Sequence, residues 1–458
     1  MRAIRNGDSI IVLLGGIIFM ILALYNGYPI VTNDTGSYIS SGFTLIPSSD
    51  RPIFYGLFIR GTSLGLSLWL TIYTQCCILS YVFIKFLSAS IPEIRKAHKV
   101  FFLFFASLCT IGGWYASQLM PDIFVAIMIL STLVLLKEDG TRKQNIIMIC
   151  ICFIAVITHN SNYITLTLFS LLLFLGSVIF KRIQRFRIKA TILLGICFFS
   201  WITLCLSNYI GRKEFVSSNA THVFVMGKLV ESGVLKTYLD KACPVYNYGI
   251  CPYKDSLETN AWGFVWDASS PLNKTGGWEA NRKEYIHIIS DIISRPKYWP
   301  FLMFKSGEAT LRELVLINID GLFELPWVKY LKDSPPYENV SKYYPHELNE
   351  LASSKQNVNA LDIKFMDSVY FIVFIVALLI VILLIGVTPK NFKIISVIFL
   401  LILVVLNAFT TATFANVLTR LNSRVIWLIP VVSSIYIYEY LMVRLKLSPI
   451  LPMKKDMY

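Results

Sequence analysis

The stretch Asp367-Ser-Val-Tyr-Phe-Ile-Val-Phe-Ile-Val-Ala-Leu-Leu-Ile-Val-Ile-Leu-Leu-Ile-Gly-Val387 carries no charge between its first residue and Lys390. A helix rises about 1.5 Å per residue, so this run is long enough to cross the ~30 Å hydrocarbon core of a bilayer. The same signal recurs on both sides of it, at roughly 9–27, 64–86, 100–118, 122–137, 145–159, 162–180, 190–209, 393–413 and 424–443. Together these segments predict an all-α polytopic membrane protein with about ten transmembrane helices. Composition agrees: 55% of the 458 residues are hydrophobic and 15% are charged, against about 25% charged in a soluble domain. A soluble enzyme on a single anchor is thereby excluded. The start, Met1-Arg-Ala-Ile-Arg5, resembles a signal peptide, but the apolar run to Leu24 is long and no small-residue cleavage site follows. A retained first helix is expected.

A formal charge of +14 would suggest nucleic acid in a soluble protein. Here the cations gather in short loops between apolar segments, and no nucleic-acid module interleaves them with aromatics. Arg2 and Arg5, Arg95 to Lys99, Lys137 to Lys143, Lys181 to Lys189, Lys390 and Lys393, and Arg444 to Lys455 all fall on one side if ten spans hold. The positive-inside rule makes that side cytoplasmic, with both termini inside. Three parts follow: a membrane domain of about seven helices at 1–209, a periplasmic or luminal, mostly helical domain at 210–365, and a membrane domain of about three helices at 366–458. Cysteine usage and the abundance of Ile, Lys and Asn point to a bacterial inner membrane. Seven of the nine cysteines lie in apolar segments; Cys243 and Cys251 alone lie in a polar region. In an oxidising compartment they form a short-loop disulfide; otherwise they stay free.

The opposite side is poor in charge, so the charges it carries are informative. Asp34 lies in Tyr28-Pro-Ile-Val-Thr-Asn-Asp-Thr-Gly-Ser-Tyr38, just beyond the first apolar segment. Asn33-Asp34-Thr35-Gly36 is good turn chemistry; the same carboxylate at the water–lipid boundary suits a general base for an acceptor hydroxyl. Asp122 follows Pro121 at the start of the fourth segment, where helix-start chemistry explains both residues, yet topology sets it level with Asp34. Arg51, Arg420 and Arg424 are candidates to hold a phosphate bidentately; snorkelling is the plainer explanation. Arg420 and Arg424, four apart, share a helix face. His159 sits in the turn between the fifth and sixth segments. Trp262, Trp266, Trp278 and Trp299 suit either sugar stacking or interfacial packing. Gly61-Thr-Ser-Leu-Gly65 fits the hydrolase pattern GxSxG but opens a membrane span, where small-residue helix packing explains it better. No HExxH, Walker or dinucleotide pattern occurs.

These residues resemble the GT-C superfamily of polytopic glycosyltransferases, which includes protein O-mannosyltransferases and lipid A aminoarabinose transferases. The likeness rests on Asp34-Thr-Gly-Ser-Tyr38, Arg51-Pro-Ile-Phe-Tyr55, Pro121-Asp122 and Ser423-Arg-Val-Ile-Trp-Leu-Ile-Pro430. It covers about the first 180 residues and the last span; the outer domain matches no family. It implies a polyprenyl-phosphate-linked sugar as donor and a glycan, lipid or protein acceptor, with no nucleic acid. It also implies catalytic roles for Asp34 and Asp122, and substrate or phosphate contacts for Tyr38, Arg51, Tyr55, His159, Arg420 and Arg424. Many members carry two adjacent acids where this chain has Asn33-Asp34, which disfavours a divalent metal there, so no metal ligands are assigned. A transporter or flippase of a lipid-linked glycan is one alternative. Another outer-face transferase, an oligosaccharide polymerase or acyltransferase, is the second.

Overall fold

The computed structural model describes residues 6–91, 93–137, 140–319, 330–387 and 392–444. The helices of the N-terminal part are α1 Asn6–Phe19, α2 Ile21–Asn26, α3 Asn33–Thr44, α4 Phe54–Ser63, α5 Leu68–Ser90, α6 Lys96–Leu108, α7 Gly112–Ala116, α8 Ile123–Leu136, α9 Arg142–Ile157, α10 Asn160–Ile179 and α11 Arg187–Arg212. The polar middle region holds α12 Thr221–Glu231, α13 Val234–Ala242, α14 Ala261–Trp266, α15 Pro271–Lys274, α16 Gly277–Ala280, α17 Arg282–Ile293, α18 Trp299–Leu314, α19 Pro335–Tyr343 and α20 Leu348–Ser353. The chain closes with α21 Lys364–Val387, α22 Phe392–Phe414, α23 Thr419–Ile426 and α24 Leu428–Arg444. No strand forms among the described residues.

Six segments are long and apolar enough to cross a membrane: Leu68–Ser90, Asn160–Ile179, Ile183–Arg212, Lys364–Leu384, Ile394–Phe414 and Thr419–Met442. The protein is therefore an integral membrane protein. The other four expected segments are shorter or interrupted. The first breaks between α1 and α2, and the fifth is α9. The third bends after α6, because Gly112 and Gly113 fold back on it so tightly that a Cβ on either would meet the carbonyls of Ala106 and Ser107. The fourth, α8, is only 14 residues long, and every one is buried. A helix apolar on all sides belongs inside, and α8 is the hub: α5, α9, α22 and α23 pack around it.

The small-residue packing expected at Gly61 and Gly65 is absent, since nothing lies within 4 Å of a Cβ at either position. The close approach occurs instead between Gly42 of α3 and Gly56 of α4, whose backbones leave no room for side chains.

The region 210–365 has two halves. Helices α12 to α17 enclose their own core, with Met226, Leu235, Tyr238, Phe264, Tyr285 and Ile288 inside, and Cys243 and Cys251 are disulfide-bonded there. Helices α18 to α20 join the membrane bundle: α18 packs along α22 and α19 lies on α3. Glu347 accepts from Tyr28 Oη at 2.9 Å and from the Leu68 amide at 3.0 Å. Gln356 exchanges two hydrogen bonds with the Val31 backbone. These clamps fix the chain leading into α3.

Candidate active site

Asp34 lies in a helix, which corrects the turn expected from Asn33-Asp34-Thr35-Gly36. Thr32 is the N-cap of α3 and forms a reciprocal capping box with Thr35, so the turn-forming residues start a helix instead. Thr35 Oγ1 also donates to Leu119 O at 3.2 Å. Ile30 pairs as an isolated parallel bridge with Gln118. Its amide donates to Ser117 O at 3.0 Å and its carbonyl accepts from the Leu119 amide at 2.9 Å. The bridge holds the approach to α3 beside the approach to α8, and so brings Asp34 and Asp122 to one end of the bundle. In the first turn of α3, the Asp34 carboxylate gains from the helix dipole.

Two arginines from opposite ends of the chain converge on Asp34. Arg51 Nη2 lies 2.6 Å from Oδ1, and Arg420 Nη1 and Nη2 each lie 3.3 Å from Oδ2. Arg51 Nη1 donates to Ser37 Oγ at 2.9 Å, and its Nη2 also lies 3.2 Å from Asp50 Oδ2. Burial opposes the Arg51 charge, but Asp34 and Asp50 outweigh it and hold the proton more tightly than usual. The side chains of Asp34, Arg51 and Arg420 are each about one-fifth exposed, at 21%, 20% and 20%, so a ligand can reach them.

Tyr38 and Tyr55 line the inner side. The Arg51 guanidinium stands 5.7 Å over the Tyr38 ring, and Tyr38 meets Tyr55 edge-on at 5.2 Å. Tyr55 Oη donates to Gln75 at 2.9 Å, and Gln75 donates in turn to Ala116 O and Gln118 O. Burial pushes the Tyr38 phenol up, with Arg51 pulling partly the other way, so Tyr38 enters as a neutral ring.

A second tier lies beneath. Arg424 Nη1 pairs with Asp122 Oδ1 at 2.8 Å, the side chains being 0% and 2% exposed. Arg424 Nη2 donates to Ser161 Oγ at 2.8 Å and lies 3.5 Å from Asn407 Oδ1. His159 Nδ1 sits 2.7 Å from Ser161 Oγ and accepts from the Ser161 amide at 3.2 Å. A nitrogen that accepts carries no proton, so His159 is a neutral cap for α10 rather than a cation. Helix α23, which carries both Arg420 and Arg424, is held from the other side by α18 and the residues after it. Asn422 Nδ2 donates to Leu314 O and Leu316 O, Ser423 Oγ donates to Asn318 O, and Asn407 Nδ2 donates to Leu421 O.

The eight residues to which the resemblance gave site roles thus fall in two neighbouring tiers, with Asp34, Arg51, Arg420, Tyr38 and Tyr55 in one and Asp122, Arg424 and His159 in the other. Ser37, Ser161 and Asn407 complete them and were not expected. Asn407 did leave a trace, as a lone amide in the apolar run of α22, where polar side chains mark an internal partner. Arg60 lies apart, donating to Gly42 O at 3.2 Å. Trp262, Trp266 and Trp278 gather with Phe224 on the α12–α17 unit, and Trp299 Nε1 donates to Ile293 O. A cavity of about 400 Å³ between α11, α12 and α17, lined by Trp201, His222 and Arg282 among others, includes no residue of either tier. Among the described residues, no group of three or more His, Cys, Asp or Glu is arranged to hold a metal. Comparison of the chain with known protein families, with characterised proteins and with solved structures gives no match.

Proposed function

We propose that this protein is an integral-membrane glycosyltransferase of the GT-C type. It moves a sugar from a polyprenyl-phosphate donor to the hydroxyl of a glycan, lipid or protein acceptor. The proposal places the reaction on the non-cytoplasmic face of a bacterial inner membrane, with both termini cytoplasmic, ten spans in all and 210–365 outside. One observation carries it: an accessible carboxylate, Asp34, clasped by two accessible guanidiniums, Arg51 and Arg420, at one end of an apolar bundle.

A lipid phosphate entering between the arginines competes for the same donors, with bidentate geometry suited to it. As the guanidiniums turn to the phosphate, Asp34 loses its partners and becomes a free base. It then takes the proton of the acceptor hydroxyl. The acceptor oxygen attacks the anomeric carbon from the face opposite the phosphate, and the bond from that carbon to the phosphate oxygen breaks. Its electron pair leaves with polyprenyl phosphate, and the sugar is inverted. Arg51 and Arg420 meet the charge that grows on the leaving group, and such donors are worth most where charge develops. Tyr38 and Tyr55 keep Arg51 aimed. The Asp122–Arg424 pair and His159, through Ser161, fix α23 on α8 and α10 and so set Arg420.

The test compares wild type with Asp34→Asn, both purified, for release of polyprenyl phosphate from lipid-linked sugars with candidate acceptors. Turnover should fall about 10²–10⁴-fold in the variant. Full activity in Asp34→Asn would remove Asp34 as the base, and no turnover by wild type across donors would count against the transferase.

A further inference from the structure

Glu313 of α18 is fully buried, belongs to none of the apolar segments and has no part in the site as described above. Its Oε1 is hydrogen-bonded to Thr411 Oγ1 of α22, and its Oε2 has no partner. Thr411 Oγ1 also lies 2.7 Å from the carbonyl of Asn407. A hydroxyl has one proton to give, and both a carboxylate and a carbonyl only accept. The two contacts are satisfied together if Glu313 carries a proton, donates it to Thr411, and Thr411 donates to Asn407 O. Asn407 is the residue whose side chain holds Leu421 O and faces Arg424, and the carbonyl next after Glu313, Leu314 O, accepts from Asn422. Glu313 therefore stands where α18, α22 and α23 are joined.

We propose that Glu313 is a positioning residue for this site: its protonated carboxyl ties α18 to α22 at Thr411 and so holds the α23 arginines where Arg420 meets Asp34. The functional half of this rests on the transferase assignment above; the protonation and the tie stand apart from it. Burial pushes the Glu313 carboxyl up to about 8, against smaller opposing effects of Thr411, Arg424 and Lys228. The charged groups facing it are Arg424 from α23 and Lys228 from α12, and α22 faces it with Thr411. Once ionised, Glu313 is a buried carboxylate that competes with Asp122 for Arg424.

The experiment uses the full chain in lipid nanodiscs as wild type, E313Q and E313A. The infrared spectrum of wild type should show a protonated-carboxyl C=O band that disappears as pH rises through about 8 and is missing in E313Q. Folded Glu313 keeps a proton that the unfolded chain releases near pH 4.5, so wild-type stability falls relative to E313Q between those values and levels off above. E313A should speed amide exchange across Thr419–Ile426, and the neutral donor of E313Q should restore protection. Transfer should fall about 10- to 100-fold in E313A, and the loss of wild-type rate above about pH 8 should vanish in E313Q. A wild-type spectrum without the band, or identical pH profiles for wild type and E313Q, would overturn the protonated tie. Unchanged exchange and unchanged rate in E313A would overturn positioning. If wild type proves not to be a transferase, the spectrum and the exchange data still decide the tie.

Discussion

At the residue scale, the ion pairs of Asp34 and that of Asp122 differ in what surrounds them. Asp34 meets Arg51 and Arg420 with each side chain about one-fifth exposed, so water can replace a lost partner. Asp122 and Arg424 have no such recourse. Breaking a buried pair leaves an uncompensated charge and costs about 3–5 kcal/mol, whereas a solvated pair is worth ~1 kcal/mol or less. Arg424→Ala should therefore lower the thermal stability of the purified protein sharply. Arg51→Ala should leave it near wild type yet raise the donor KM. The opposite ranking in a thermal-unfolding series would mean that the accessible pair, not the buried one, holds the fold. Each of the eight charged, aromatic or imidazole residues was legible in the sequence as a type suited to this chemistry. Their pairing was not, because Asp34 and Arg420 lie 386 positions apart. Glu313 gave no sign at all, since nothing in the sequence says which face of α18 turns inward onto α22.

At the element scale, the sequence showed the apolar helices and hid the helix that carries Asp34. Asn33–Thr44 is rich in Gly, Ser and Thr, whose intrinsic preference is against a helix. Contacts supply what propensity lacks: a capping box at Thr32, α19 lying on one side, and α4 closing on Gly42. The Gly42–Gly56 approach sets the spacing between the helix carrying Asp34 and the segment that leads from Arg51 into α4. Gly56→Ala should force these apart, at a cost of about 1–3 kcal/mol for overpacking, and reduce transfer together with stability. Gly61→Ala, in the same α4 but facing open space, should be neutral or stabilise by up to ~1 kcal/mol through helix propensity. Equal effects of the two substitutions, measured by thermal unfolding, would show that α4 senses helix propensity and not backbone contact.

At the scale of the whole molecule, contacts decide which parts share a side. Arg212, at the end of α11, donates to Pro47 O at 2.9 Å and pairs with Glu279 at 3.6 Å. The α12–α17 unit, the approach to Arg51 and the Asp34 cluster therefore belong to one end of the bundle. That unit carries the disulfide Cys243–Cys251, which forms and persists on the oxidising side of a membrane. Arg95, just before α6, and Lys96 and Lys99 in its first turn belong at the other end if the positive-inside rule governs this chain. Two exposed alanines report on the two ends, Ala268 after α14 and Ala97 at the start of α6. With the seven free cysteines replaced, Ala268→Cys should react with a membrane-impermeant maleimide in intact cells, and Ala97→Cys only once the membrane is opened. Labelling of Ala97→Cys alone in intact cells would put the Asp34 carboxylate on the cytoplasmic side. It would then face nucleotide-linked sugars instead of lipid-linked ones, and the lipid phosphate would lose its place between Arg51 and Arg420.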